Sequence, residues 1–240
     1  MQKYKKTSDY SYALGTELTY QLLLSHPEQV TEVFIHSKQN DNDIYRKIEE
    51  CAQKNGITIT RNDKVFNILS DKENCYIIGA FKKYDAPISK ETNHVLLVNP
   101  SNTGNLGTII RTSVGFGIFD IALITPCVDI FDPKVIRASM GAFFEIRFSF
   151  YSSFEEYEKS IDKRDVFPFM LDGAKQLDKI EIPDNFTLVF GNEATGLPSC
   201  YQNYGQSVLI KHLNTIDSLN LCNAVSIGLY EFTKRQMNKK

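Results

Sequence analysis

From His94 onward, five short apolar runs recur: HVLLVN, FDIALIT, VFPFML, FTLVFG and SVLIK. Between them lie segments of helical spacing at 105–116, 133–140, 153–161 and 217–236. A short, continuously apolar strand is one covered on both faces, and strands that alternate with helices build a parallel sheet. The fold expected is therefore α/β, a mostly parallel sheet covered by helices. In such sheets ligands bind beyond the carboxyl ends of the strands.

Residues 1–85 repeat the alternation on a smaller scale. YALGTELTYQLLLSH reads as an amphipathic helix, VTEVFIH as a strand, and NDIYRKIEECAQKNG as a helix closed by Gly56 just past its end. ITIT, DKVFNILS and CYIIGAFKK follow as strand, short helix and strand. The next stretch, YDAPISKETNH, is polar, holds Pro87 and lacks periodicity, which marks a linker over 86–93. Two domains are expected, a small α/β domain at 1–85 and a larger one at 94–240 that carries the chemistry.

Composition narrows the function. The 240 residues are 42% hydrophobic and 23% charged, with a formal net charge of −2, so nucleic-acid binding must rest on a local patch. Basic residues gather at Lys3, Lys5, Lys6, Lys82, Lys83, Lys234, Arg235, Lys239 and Lys240, although solvated termini account for most of these. No apolar run approaches the ~20 residues of a membrane span, and no signal-like leader opens the chain. Five scattered cysteines without a CxxC pair fit reduced thiols in the cytoplasm. Four distant histidines show no metal-ligand spacing, so no metal is expected. A dinucleotide fingerprint, a P-loop and a G-x-S-x-G elbow are all missing.

Three stretches depart from plain core. In PSNTGNLGTIIRTSVGFG, helical spacing puts Gly104, Gly107, Arg111 and Gly115 on one stripe, a lane without side chains from which a single guanidinium projects. That fork suits phosphate or carboxylate, and Asn102 and Asn105 add polar groups at the helix start. In FTLVFGNEATGLP an apolar strand runs into a glycine-rich loop whose only charge is Glu193. In SVLIKHLNTIDSLNLCNAVSIGLYEF a strand leads to a helix starting near Asp217, with Leu221, Val225, Gly228, Leu229 and Phe232 as its apolar stripe. Ser218 and Asn220 stand at that start; capping explains one of them, not both. Each stretch alone also has a plain structural reading as tight packing, a polar turn or a cap.

Taken in order, the three resemble the motifs of the SpoU/TrmH family of RNA 2′-O-ribose methyltransferases, within the SPOUT superfamily. The first is Asn102-T-G-N-L-G-T-I-I-Arg111-T, the second L-V-F-Gly191-N-Glu193-A-T-Gly196-L, and the third Ile210 followed by Ser218-L-Asn220-L-C-N-A-V-S. The likeness covers roughly residues 94–235. It implies a C-terminal trefoil knot, S-adenosyl-L-methionine as cofactor, structured RNA (ribosomal or transfer) as substrate, and a homodimer packed through knot-region helices. It implies Gly191, Ile210 and Leu219 as cofactor contacts and Arg111, Asn102, Glu193, Ser218 and Asn220 as catalytic residues. Arg111 takes the place of the family's catalytic arginine, where holding the adjacent phosphate and the developing alkoxide suits a guanidinium better than general-base work. Asn102 orients the ribose or Arg111, Ser218 and Asn220 steady the reacting groups, and Glu193 fixes the loop or pairs with a basic group. The small residues of 217–232 fit the dimer contact, and residues 1–85 resemble an appended RNA-binding domain. One departure is plain: Ile210-Lys211-His212 stands where many relatives have Ile-Pro-Met. A catalytically silent knotted RNA-binding or assembly protein, a base methyltransferase of the same superfamily and a dinucleotide oxidoreductase are the competing readings.

Overall fold

The computed structural model describes residues 2–70, 74–172, 175–213 and 215–237; Asn214 of the third motif and Lys239 and Lys240 lie outside them. The first half runs β1 (Tyr10–Leu14), α1 (Thr16–Ser25), β2 (Val30–Ile35), α2 (Asp43–Lys54), β3 (Ile59–Arg61), α3 (Asp63–Leu69) and β4 (Ile77–Lys82). There follow β5 (His94–Val98), α4 (Thr103–Gly115), β6 (Asp120–Ile124), α5 (Pro133–Ala138), β7 (Arg147–Tyr151), α6 (Phe154–Ser160) and β8 (Asp165–Pro168). The chain closes with β9 (Lys175–Gln176), β10 (Phe186–Phe190), β11 (Val208–Leu209) and α7 (Leu221–Met237). Two compact units result, one of residues up to Asp85 with Asp129–Glu145, the other of Ala86–Val128 with Ile146 onward.

The first unit holds a four-stranded sheet in the order β1-β4-β2-β3, antiparallel except between β2 and β3. The helix read across YALGTELTYQLLLSH is a strand and a helix instead. Tyr12 and Ala13 are buried in β1, and Gly15 turns the chain at φ 123°, a conformation favouring glycine, before α1 begins. Residues 129–145, placed by sequence with the C-terminal domain, also belong here. The Ser11 hydroxyl donates to the Phe131 carbonyl at 2.6 Å, and Phe131 and Phe144 set their rings against Phe81. Apolar side chains follow the core that buries them, whatever their place in the chain.

The second unit carries an all-parallel five-stranded sheet, β7-β6-β5-β10-β8. Every residue of β5, β6 and β10 is buried, which is why these strands read as unbroken apolar runs. The edge strand β7, RFSFY, mixes exposed and buried positions and gave no such run. From β5 the chain builds outward to β6 and β7, then crosses to lay β8 and β10 on the other side. The topological switch point therefore falls between β5 and β10, where open α/β sheets bind ligands.

Residues 86–93, read as a linker, are strapped onto this unit. Ala86 bridges Phe148, the Ser89 amide donates to the Asp120 carboxylate at 2.8 Å, and the Thr92 hydroxyl donates to it at 2.6 Å. Asp120 is itself buried and forked by Arg147 at 2.7 and 2.5 Å. The Arg164 guanidinium donates to the Lys90 and Thr92 carbonyls.

Helix α7 starts at Leu221, four residues later than its sequence periodicity suggests, and buries Leu221, Val225, Leu229 and Phe232. Phe232 sits edge-on to Phe167 and Phe186, with ring centroids 4.8 and 5.0 Å away. Gly228 faces the stacked pair Phe169 and Phe190; a Cβ there would lie 2.8 Å from Phe169 and 3.1 Å from Phe190. This small residue thus serves packing within the chain, in keeping with its place in the apolar stripe.

Candidate active site

At the switch point the tips of β5 and β10 are tied together. Asn99 takes a left-handed conformation, φ 51°, which asparagine tolerates better than most residues, and its carbonyl accepts from the Asn192 side-chain amide at 2.7 Å. Three residues on, Asn102 caps α4, its side chain accepting from the Asn105 amide at 3.0 Å. Neither asparagine at the strand tips was singled out by sequence, because their partnership spans 93 positions of chain.

Glu193 closes the arrangement. Its Oε2 accepts from the Ser101 amide at 3.0 Å and hydroxyl at 2.8 Å; its Oε1 accepts from the Asn102 amide and the Asn105 side chain, both at 3.1 Å. Burial pushes its carboxyl toward a higher pKa, but the Ser101 and Asn105 donors outweigh that and hold it below the usual carboxylate range. It makes no ion pair among the described residues. A carboxylate at the positive end of a helix is favourably placed, and here it locks the second-motif loop to the first-motif helix.

The loop itself folds back through a bridge between Asn192 and Gly196, with hydrogen bonds of 3.2 and 2.9 Å. Gly196 sits at φ 67°, and a Cβ on Gly191 would fall 2.1 Å from the Gly196 carbonyl carbon. Both glycines are required for this turn.

Beside the loop opens a cleft of about 410 Å³, lined among others by Gly191, Glu193, Ile210, Ser218 and Leu219. Its lining includes the apolar Phe169, Leu209 and Leu219, while Asp172, Glu193 and Asp217 supply three carboxylates. No lysine or arginine lines it among the described residues. A purine joined to a cationic chain fits such a cleft; a pyrophosphate-bearing dinucleotide does not, which counts against the oxidoreductase reading.

Of the paired residues at the start of α7, Asn220 proves to be the cap, accepting from the Cys222 amide at 2.8 Å. Ser218 lines the cleft, exposed and without a hydrogen-bond partner among the described residues. The Cys222 thiol reaches Asn105 at 3.4–3.5 Å, so Asn105 joins α4, α7 and Glu193. Sequence spacing noted Asn105 only as a polar group; its central position needs the three elements assembled.

Arg111 stands on the exposed face of α4 and has no hydrogen-bond or ion-pair partner among the described residues. It does not line the cleft. The open lane around it is Gly104, Thr108, Arg111 and Gly115, with Gly107 turned into the buried face. Steps of four, three and four keep those residues within an arc of about 60°, whereas Gly107 falls about 70° from its middle. The threonine hydroxyls along the lane donate back to helix carbonyls, Thr108 to Gly104 at 2.8 Å and Thr112 to Thr108 at 2.9 Å.

Solved structures share this architecture. An S-adenosylmethionine-bound rRNA methyltransferase from Sinorhizobium meliloti superposes with a TM-score of 0.80 at 24% identity, covering 95% of this chain and 88% of that one. A structure described through 2′-hydroxyl methylation of C/U34 on tRNA matches at 25% identity and a TM-score of 0.56, over 63% of this chain and all of that one. The fold is the one found in these RNA methyltransferases. Residues 92–230 match the SpoU rRNA Methylase family, and the chain belongs to that family. A curated relative, the 23S rRNA (uridine(2479)-2′-O)-methyltransferase of Streptomyces viridochromogenes, is 28% identical over 160 residues, covering 63% of this chain and 56% of its own length.

Proposed function

We propose that this protein methylates a ribose 2′-hydroxyl of structured RNA, with Arg111, Asn102, Glu193, Ser218 and Asn220 as the working residues and Gly191, Ile210 and Leu219 as the cofactor contacts. The observation that carries the proposal is the Glu193 clamp. It joins the first-motif helix to the second-motif loop on the wall of a cleft that the third motif also lines. Relatives described as acting on 23S rRNA and on tRNA position 34 support ribosomal or transfer RNA as the substrate class.

S-adenosylmethionine, when bound, supplies a methyl carbon made electrophilic by its sulfonium. The residues of this chain do the rest. A ribose hydroxyl is a poor nucleophile near neutral pH; as its oxygen takes up the methyl the carbon–sulfur bond breaks, the sulfur leaves as a neutral thioether, and the hydroxyl proton passes to solvent. Arg111, exposed and unpaired among the described residues, holds the neighbouring phosphate and stabilises negative charge growing on the 2′-oxygen. Ser218, at the cleft, offers a free hydroxyl to the incoming ribose, while Asn102, Asn105 and Asn220 keep the helix starts in register. The carboxylates of the cleft favour a cationic ligand over a neutral product, which promotes release after transfer.

A trefoil knot in the C-terminal part and a homodimer belong to the same proposal. Ile227 and Tyr230 on α7 are 40% and 56% exposed and offer an apolar face to a second copy; sedimentation reads the dimer directly. Residues 1–85 as an RNA-binding domain and a cytoplasmic location complete the reading. Among the described residues no helix is long and apolar enough to cross a membrane.

The test supplies purified protein with labelled S-adenosylmethionine and unmodified total RNA, beside Arg111→Ala. Label on a ribose 2′-oxygen, lost at least 100-fold in the variant, is the expected result. Label on a base, or no cofactor binding at all, overturns the proposal.

A further inference from the structure

The turn that ends α5 carries a cost that packing does not explain. Among the described residues only two non-glycine positions take a left-handed φ, Asn99 and Met140. Asparagine tolerates that region, whereas an apolar side chain gains nothing from it. Met140, at φ 54°, is nonetheless 61% exposed, so its side chain does not serve the core. The backbone beneath it is fixed. The buried Ser139 hydroxyl donates to the Ile136 carbonyl at 2.7 Å and accepts from the Phe143 amide at 3.2 Å. The Met140 amide donates to the Arg137 carbonyl at 3.2 Å, and Ile136 and Phe143 anchor the two sides of the turn in the core. A strained residue held outward by an over-determined turn points to a contact made by its own side chain. Arg137, three residues earlier, is half-buried yet has no hydrogen-bond or ion-pair partner for its guanidinium among the described residues. Lys134, on the same face of α5, is exposed and equally unpaired. The preceding carboxylates are engaged elsewhere: Asp132 caps α5, and Asp129 holds Tyr4, Lys83 and the Phe131 amide.

We propose that the segment 134–140 is an RNA-contact surface, with Arg137 and Lys134 on the phosphate backbone and the Met140 thioether against the face of an unpaired base. A guanidinium partly withdrawn from water without a partner is a costly state that an anion relieves, and its fork fits a phosphate. A thioether is polarisable and packs favourably on aromatic rings, and unpaired RNA bases splay out and offer such rings. A second copy of the chain or another protein matches the surface less well, since two unpaired cations beside one thioether are the wrong composition for the core of a protein interface. The inference rests on RNA as the substrate, and adds to it a surface outside residues 1–85 and outside the three motifs.

The experiment measures methyl transfer to unmodified total RNA against RNA concentration and salt. Wild type, Met140→Gly, Arg137→Gln and Arg137→Lys are compared as whole proteins, with S-adenosylhomocysteine affinity and thermal unfolding followed for each. Glycine relieves the left-handed strain, so Met140→Gly should melt no earlier than wild type. It should nonetheless need about 3- to 10-fold more RNA for half-saturation, at unchanged kcat and cofactor affinity. Arg137→Gln should flatten the dependence of log KM on log salt by about 0.7–0.9, the share of one phosphate, and Arg137→Lys should restore it. Unchanged KM in Met140→Gly together with an unchanged salt slope in Arg137→Gln overturns the inference while leaving RNA as the substrate. Earlier melting or a lower kcat with KM unchanged also overturns it, by making the turn a structural element. If the wild type methylates no RNA at all, the substrate reading itself fails.

Discussion

Replacing Glu193 by glutamine isolates the clamp with almost no change of shape. The carboxylate spreads four accepted hydrogen bonds evenly, two on each oxygen, at 2.8–3.1 Å. Glutamine keeps one oxygen, so two of the four are lost however the amide turns, and its NH₂ then faces donors. A hydrogen bond to a charged group contributes roughly 1.5–3 kcal/mol, less where water reaches it. Glu193 is only partly buried, so the two lost bonds together are worth about 1–3 kcal/mol. Native-state amide exchange reads this at the donors themselves. The Ser101 and Asn102 amides should exchange about 5- to 150-fold faster in Glu193→Gln, and S-adenosylhomocysteine should bind more weakly as the loop loosens. The pH dependence has a definite sign. The folded carboxyl lies below its ordinary 4.5, so its contribution is full above that value and is lost as pH falls through the folded pKa. The two proteins should therefore differ most above pH 5 and converge in acid. Unchanged exchange at both amides, with unchanged affinity, would refute the clamp.

Two further outcomes follow from the same geometry. Gly191→Ala forces a Cβ to 2.1 Å from backbone that cannot yield, and should abolish cofactor binding in titration while melting earlier; normal binding would show the loop is not built as described. Asn220→Ala should lower stability by about 1 kcal/mol in denaturant unfolding, as loss of a helix cap does, whereas Ser218→Ala should leave stability alone and slow methyl transfer. A reversed pattern would interchange their roles.

The local chemistry was legible in the chain. Continuous apolar runs announced β5, β6 and β10 because strands covered on both faces have no polar alternation to show. Arg111 and the glycines of GNEATG stood out because each is costly or odd in an ordinary element. Strand β7 stayed hidden, since an edge strand carries mixed residues. So did β1, because only Gly15, Thr16 and Glu17 separate its apolar residues from those of α1.

Partnership was what the sequence withheld. It marked Asn220 and Ser218 as a pair in which one caps, but only the folded helix start shows that Asn220 does so and that Ser218 is left to the cleft. It placed Gly107 in the open lane, whereas packing turned that glycine into the buried face. It left Glu193 between two roles until its four donors, about 90 positions away, came into reach. Residue type and local period are written along the chain and set propensity and chemical capacity. Which donor meets which acceptor depends on loops closing over long separations, and that is decided only when the whole core buries its apolar surface at once.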